Sequence, residues 1–231
     1  MKVIKIDKKT ANEWVSKKHY RRTLGIFWEG FALVINGNIE GVVCYGQPSA
    51  PIQKYSFIDR SFRLYELTRL VVQTKEKNAC SFLIANSLKM LKEKHSAVIS
   101  YADSSVNHCG IVYQATNWIY TGEVTAHDKF YVVNGEKLHP TTIKDRYGIT
   151  SPTKWAKENN IEMVKPMPKH RYFYLKGSKR EKRKMISQLK YEAIDKYPKC
   201  EKSRYDDGDL IKQSEPVNTE THQLEFDFCT K

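Results

Sequence analysis

Residues 62 to 101 restrict the fold more than any other part of the chain. Phe62 to Gln73 alternates and is rich in β-formers, so it reads as a central strand. Asn78 then offers a helix cap, and Cys80, Ile84, Leu88 and Leu91 follow at spacings of four, four and three, along one helical face. Ala97-Val98-Ile99-Ser100-Tyr101 reads as the next strand, buried on both sides. Strand, helix and strand in so short a span form a crossover, and a crossover joins parallel strands.

The flanking segments surround that unit with a mixed sheet. Lys2 to Asp7 alternates like a short strand, and Thr10 to Tyr20 suits a helix anchored by Trp14. Phe31 to Ile35, the Asn36-Gly37 pair and Ile39 to Tyr45 give a strong hairpin signal. Asn107 to Tyr120 is expected as a second helix. A further hairpin follows at Lys129 to Val133 and Glu136 to His139, and Tyr172 to Leu175 is a closing strand. The pattern is α+β, close to α/β, with a mixed central β-sheet flanked by helices. At 231 residues the chain has room for one domain and an appendage, since domains run to roughly 150 residues. The expected division is a catalytic domain over 1–177, a basic helical extension over 178–202 with its helix at 178–198, and a disordered tail over 203–231.

Composition narrows the partners. Thirty-nine Lys and Arg against 26 Asp and Glu leave +13, which favours a polyanion such as nucleic acid or an anionic membrane surface. No run approaches the roughly 18 apolar residues of a membrane span, and the charged start Met1-Lys2-Val3-Ile4-Lys5 is unlike a signal peptide, so a soluble, cytoplasmic protein is expected. Five cysteines, at 44, 80, 109, 200 and 229, contain no CxxC pair and are read as reduced thiols.

Four clusters carry chemistry. Asn78-Ala79-Cys80-Ser81 opens a helix, where unpaired N–H groups and the Ser81 hydroxyl suit a phosphate, although every helix has such an end. Arg69 lies inside a buried strand and suits a phosphate or an ion pair with Glu66. Asp103 ends the second parallel strand, where ligands bind in open sheets, and His108, Gly110 and Tyr113 follow it; each also has an ordinary reading as cap or core. Two basic stretches interleave with aromatics: Lys17-Lys18-His19-Tyr20-Arg21-Arg22, and residues 165 to 190 with ten Lys or Arg against Glu181 alone.

Tyr65-Glu66-Leu67-Thr68-Arg69-Leu70, Asn78-Ala79-Cys80-Ser81, Ser100-Tyr101-Ala102-Asp103 and His108 to Asn117, preceded by His19-Tyr20, together resemble the phage Mu Mom-type DNA modification proteins, over about residues 10 to 125. The resemblance implies a GNAT-like acyltransferase fold and an enzyme that uses acetyl-CoA to convert adenine N6 in double-stranded DNA to a methylcarbamoyl derivative, shielding phage genomes from restriction. It further implies Arg69 and Ser81 as the coenzyme-binding pair, and His19, Tyr20, Asp103 and Tyr113 as active-site residues. Thr74 to Ala79 departs from the glycine-containing pyrophosphate loop of ordinary GNAT enzymes, so Lys75 and Lys77 are the expected phosphate contacts.

Three expectations extend this reading. Without a metal, Asp103 acts as base and Tyr113 as proton donor. His19, His108 and Asp103 form a two-imidazole, one-carboxylate set suited to iron(II). Adenine is extruded from the duplex to stack on Trp118, Tyr101 or Phe27, while 165–190 grips phosphates. The alternatives are an N-acyltransferase acting on a protein or small amine, and a non-catalytic DNA-binding protein.

Overall fold

A computed structural model describes residues 1–19, 22–59, 61–125 and 129–200. Tyr20 and the tail over 203–231 thus lie outside the described residues. Seven strands form the main sheet: β1 (Lys2–Ile6), β2 (Glu29–Ile35), β3 (Asn38–Gly46), β4 (Arg63–Val72), β5 (Ser96–Asp103), β6 (Ile119–Val124) and β10 (Lys169–Lys176), in the order β1-β2-β3-β4-β5-β10-β6. All neighbours are antiparallel except β4 and β5, the parallel pair joined by α3 (Ala79–Met90).

Opposite faces of this sheet carry different helices. α3 packs Leu83, Ile84 and Leu88 with Tyr65, Leu67, Val98, Ala102, Trp118 and Tyr172. On the other face, α1 (Lys8–Lys18) buries Ala11 and Val15 against Ala32, Val42 and Cys44. Beside it, Met185 of α7 (Lys179–Gln188) and Phe57, just past α2 (Ala50–Tyr55), cover Leu64, Ala97, Ile99 and Phe173. Asp7 caps α1 by accepting from the Thr10 N–H at 2.8 Å.

The helix expected over Asn107–Tyr120 does not form. Asn107, Gly110 and Asn117 all have positive φ, which interrupts a helix, and only α4 (Ile111–Gln114) remains. A Cβ on Gly110, at φ +79°, would also lie 2.5 Å from the Tyr172 ring. Trp118 is fully buried between Tyr113 and Tyr174, so it is a core side chain and not the surface on which an extruded base could stack. Trp118→Ala is expected to cost about 3–5 kcal/mol, read from urea unfolding.

The second hairpin lies outside the main sheet. Its strands β7 (Phe130–Val133) and β8 (Glu136–Leu138) join β9 (Glu162–Val164) in a separate sheet of order β8-β7-β9. α5 (Pro140–Tyr147) and α6 (Pro152–Glu158) belong to the same insert, whose own core is Tyr131, Leu138, Ile143 and Ala156 with Trp155 and Met163.

Past β10 the structure again differs from expectation. α7 begins with a Ser178/Glu181 capping box and stops at Gln188, short of residue 198. Leu189 bridges to Phe57, and the chain then runs back over the sheet as a strap. Ile194 N–H donates to Tyr120 O, the Tyr197 hydroxyl donates to Trp118 O at 2.7 Å, and Gln114 Nε2 donates to Pro198 O. Cys200 is disulfide-bonded to Cys109, which corrects the reading of these two as reduced thiols; fold, not spacing, brings residues 91 positions apart to 5.9 Å between Cα atoms. No helix among the described residues is long and apolar enough to cross a membrane.

Candidate functional site

β4 and β5 stay paired only from Arg63↔Ser96 to Glu66↔Ile99. Beyond that rung each strand continues, to Val72 and to Asp103, without its neighbour. β4 remains bonded to β3 on one side, so its other edge from Leu67 onward presents backbone N–H and C=O groups with no strand partner among the described residues. Unpaired strand edges accept extended, amide-containing ligands. At the root of this split the Ser100 hydroxyl lies 3.1 Å from Leu67 O and 2.8 Å from the Tyr113 hydroxyl. Tyr113 is thus brought to the split by α4.

A bulge then sets which side chains share a face. The β3–β4 register shifts between Cys44↔Arg69 and Tyr45↔Leu67, leaving Thr68 as the extra residue. Alternation resumes with opposite phase, so Leu67 and Leu70 both point to the α3 side while Glu66 and Arg69 share the other face. Tyr101, Asp103, Lys169 and Arg171 are on that same face by register, since β10 pairs Lys169↔Asp103 and Arg171↔Tyr101.

These groups sense one another. Burial raises the Glu66 carboxyl above its ordinary range, against the lowering influence of Arg69 and Lys169. Burial also raises the Tyr101 phenol, helped by Glu66. Lys169 Nζ is 3.7 Å from Asp103 Oδ2. The Asp103 Oδ1 accepts from the Ser105 N–H at 3.1 Å and from the Ser105 hydroxyl at 2.6 Å. Arg171 is held by Thr121, with Nε donating to Oγ1 at 2.9 Å, and its guanidinium lies 3.4 Å from the centre of the Tyr191 ring.

The candidate residues distribute as follows. Arg69 and Asp103 lie at the same end of the sheet, on the two strands that diverge. The Arg69 guanidinium donates to Thr23 O at 2.6 Å and to Thr68 O at 2.6 Å, so it fastens the segment after α1 onto the sheet. Asp103 and His108 are brought together by the turn Ser104–Val106, with His108 N–H donating to Asp103 O at 3.1 Å. Burial lowers the His108 imidazole below its ordinary value, with Asp103 opposing. His19 caps α1, buried to 8% exposure, and Lys18 beside it donates to Gln73 past the end of β4. Ser81 lies in the first turn of α3, where Asn78, at φ +60°, makes the turn without glycine and provides no side-chain cap. The Ser81 hydroxyl donates to Asn78 O at 3.0 Å.

Among the described residues no group of three or more His, Cys, Asp or Glu side chains converges as a metal site, so the iron(II) set of His19, His108 and Asp103 is not assembled. Glu66 is the residue that sequence reasoning missed. Its signal is an acid inside an apolar strand, which by itself reads only as a partner for Arg69.

Comparison with solved structures gives loose matches. An N-acetyltransferase from Staphylococcus aureus Mu50 aligns at 12% identity and TM-score 0.43, covering 75% of this chain and 97% of the other. Arabidopsis thaliana NAA60 in complex with acetyl-CoA aligns at 11% and 0.43, with the same 75% and 97% coverage. A GNAT family acetyltransferase from Elizabethkingia anophelis with acetyl-CoA bound aligns at 10% and 0.37, covering 75% and 97%. At such scores they assign no residue roles. No curated protein matches the sequence. The Mom protein family model matches residues 1–199, and the chain therefore belongs to the Mom family.

Proposed function

We propose that this protein modifies the exocyclic N6 of adenine in double-stranded DNA, with acetyl-CoA as the acyl donor. The observation that carries the reading is the split between β4 and β5, with a half-buried carboxylate, Glu66, on its last paired rung. Membership of the Mom family supports the choice of substrate.

The unpaired β4 edge fits the amide-bearing arm of the coenzyme, and the uncapped first turn of α3, with Ser81, Lys75 and Lys77 near it, fits its phosphates. Bound there, acetyl-CoA supplies an acyl group activated as a thioester. Adenine N6 is a weak nucleophile because its lone pair is delocalised into the ring, so a proton must leave as the bond forms. Glu66 is suited to take that proton, because burial makes its carboxylate a stronger base than an exposed one, even against the lowering influence of Arg69 and Lys169. Asp103 is tied to Ser105 and sits near Lys169, which suits positioning the His108 turn more than accepting a proton. The Tyr113 phenol, beside Ser100 at the root of the split, would return a proton to the sulfur. In this transfer an N–C bond forms and a C–S bond breaks; the additional nitrogen of a methylcarbamoyl group requires a separate nitrogen donor. His19 completes the proposed site from the end of α1.

The exposed cations of α7, Lys179, Arg180, Arg183 and Lys184, supply a surface for phosphates. Protection of phage DNA from restriction would follow from the modified base. The test is mass analysis of nucleosides from duplex DNA treated with the protein and acetyl-CoA labelled in the acetyl group. Label in a deoxyadenosine derivative is expected. Consumption of acetyl-CoA with unlabelled DNA would assign the acyl group to another amine, and no consumption would overturn acyl transfer.

A further inference from the structure

The insert between β6 and β10 has a hydrophobic core of its own. None of its residues enters the three hydrophobic clusters of the main sheet, and it buries its own apolar side chains around Tyr131, Leu138, Ile143 and Ala156. Its roots, however, are at the site. The strands that lead in and out are paired at Val124↔Lys169, and Lys169 is also paired with Asp103. A self-contained unit therefore stands on the rim of the cleft, one rung from the candidate catalytic face.

Its outer part is a helix pair. α5 ends at Gly148, with φ +66°, and α6 starts at Pro152, so only Gly148 to Ser151 separate two short helices. Ile143 and Ala156 turn inward, whereas Lys144, Arg146, Thr153, Lys154 and Lys157 are exposed. Two of the unit's cations pair with acids, Arg146 with Glu136 at 2.7 Å and, more loosely, Lys154 with Glu158 at 3.8 Å. Lys129, Lys137, Lys144, Lys157 and Lys165 are exposed and form no ion pair among the described residues. Short helices joined by a tight glycine-containing turn, with the second helix offering Lys154 and Lys157, suit the groove and backbone of duplex DNA.

We infer that the insert formed by β7 to β9 is a DNA-seating module, with the exposed face of α6 laid against the duplex beside the cleft. This rests on the reading of DNA as substrate. The module holds the duplex through phosphate contacts from its lysines and presents α6 to the bases, so it governs which adenines reach Glu66.

The test uses the full chain carrying Lys154→Ala and Lys157→Ala together. Alanine keeps the helix, and both positions are exposed, so thermal unfolding should match the wild type. Binding to a fluorescent duplex is followed by anisotropy across a salt series. The double variant should bind at least tenfold more weakly at moderate salt, and its slope of log affinity against log salt should fall by about 1.8, as for two lost phosphate contacts. Labelled adenines, mapped by sequencing of treated DNA, should also spread over more contexts. Wild-type affinity, slope and context in the double variant would overturn the module's role while leaving DNA as the substrate. Failure of the wild type to bind duplex at any salt would instead overturn the reading on which the module rests.

Discussion

Glu66→Gln is expected to lower kcat for adenine modification by about 10²–10⁴-fold while leaving the protein folded. The amide would keep the shape of the side chain and lose only its capacity to take a proton. The pH dependence separates this from a structural effect. Burial raises the Glu66 carboxyl, so the active, ionised form accumulates only above the ordinary glutamate range, and activity of the wild type should climb with pH through that raised value. In the variant this limb should vanish. Stability should change in the opposite sense. A carboxyl whose pKa is raised on folding contributes stability below its unfolded value and loses it as pH rises through the folded value, so at neutral pH the ionised Glu66 is a burden that glutamine removes. The variant should therefore melt at the same temperature or higher at pH 7. Asp103→Asn provides the contrast: asparagine keeps an oxygen for Ser105 but drops the charge beside Lys169, so the limb should persist in whatever activity remains. An unchanged acid limb in Glu66→Gln would assign proton removal to another group.

The elements that local chemistry determines were legible in the sequence. The Asn36-Gly37 turn, the α3 helix and the crossover between β4 and β5 rest on patterns within a few residues and are present, although Cys80, read on one face with Ile84 and Leu88, is exposed. The failures have separate causes. Helical periodicity over 107–120 was outweighed by left-handed backbone at Asn107, Gly110 and Asn117, and Asn, unlike Gly, gives little warning of it. The Lys129 hairpin was found, but its membership of a separate sheet depends on β9, more than thirty positions later, and no short-range signal carries that.

The site was legible in part for the same reason. Arg69 and Asp103 could be placed at one end of the sheet from strand order alone, because parallel strands share their carboxyl ends. The bulge at Thr68 could not be read, and without it Glu66 and Arg69, three positions apart on a strand, belong to opposite faces. One extra residue thus converts a scattered pair into neighbours.

Opening the Cys109–Cys200 bond should remove about 4–5 kcal/mol of stability, since the chain-entropy cost avoided by closing a loop of this length is of that order. The bond closes a loop that includes α4, β6, the insert, β10 and α7, and with them Tyr113, Lys169 and Arg171, whereas Glu66, Arg69 and Asp103 precede it. The strap it fixes is held otherwise by Tyr197 to Trp118, Gln114 to Pro198 and Tyr191 over Arg171, contacts that suffice to seat it but not to restrict the unfolded chain. Cys109 also precedes Gly110 and accepts the Tyr172 hydroxyl at its carbonyl, 2.5 Å away, so a loosened strap should disturb the turn that carries His108. Urea unfolding of the wild type with and without dithiothreitol, and of Cys200→Ser, measures this. Reduced wild type and Cys200→Ser should coincide, both well below the oxidised protein, with Cys44 a silent bystander because burial pushes its thiol up to about 12. Equal midpoints for all three samples, with both thiols alkylated in the native wild type before reduction, would mean that strap and turn are held by packing alone.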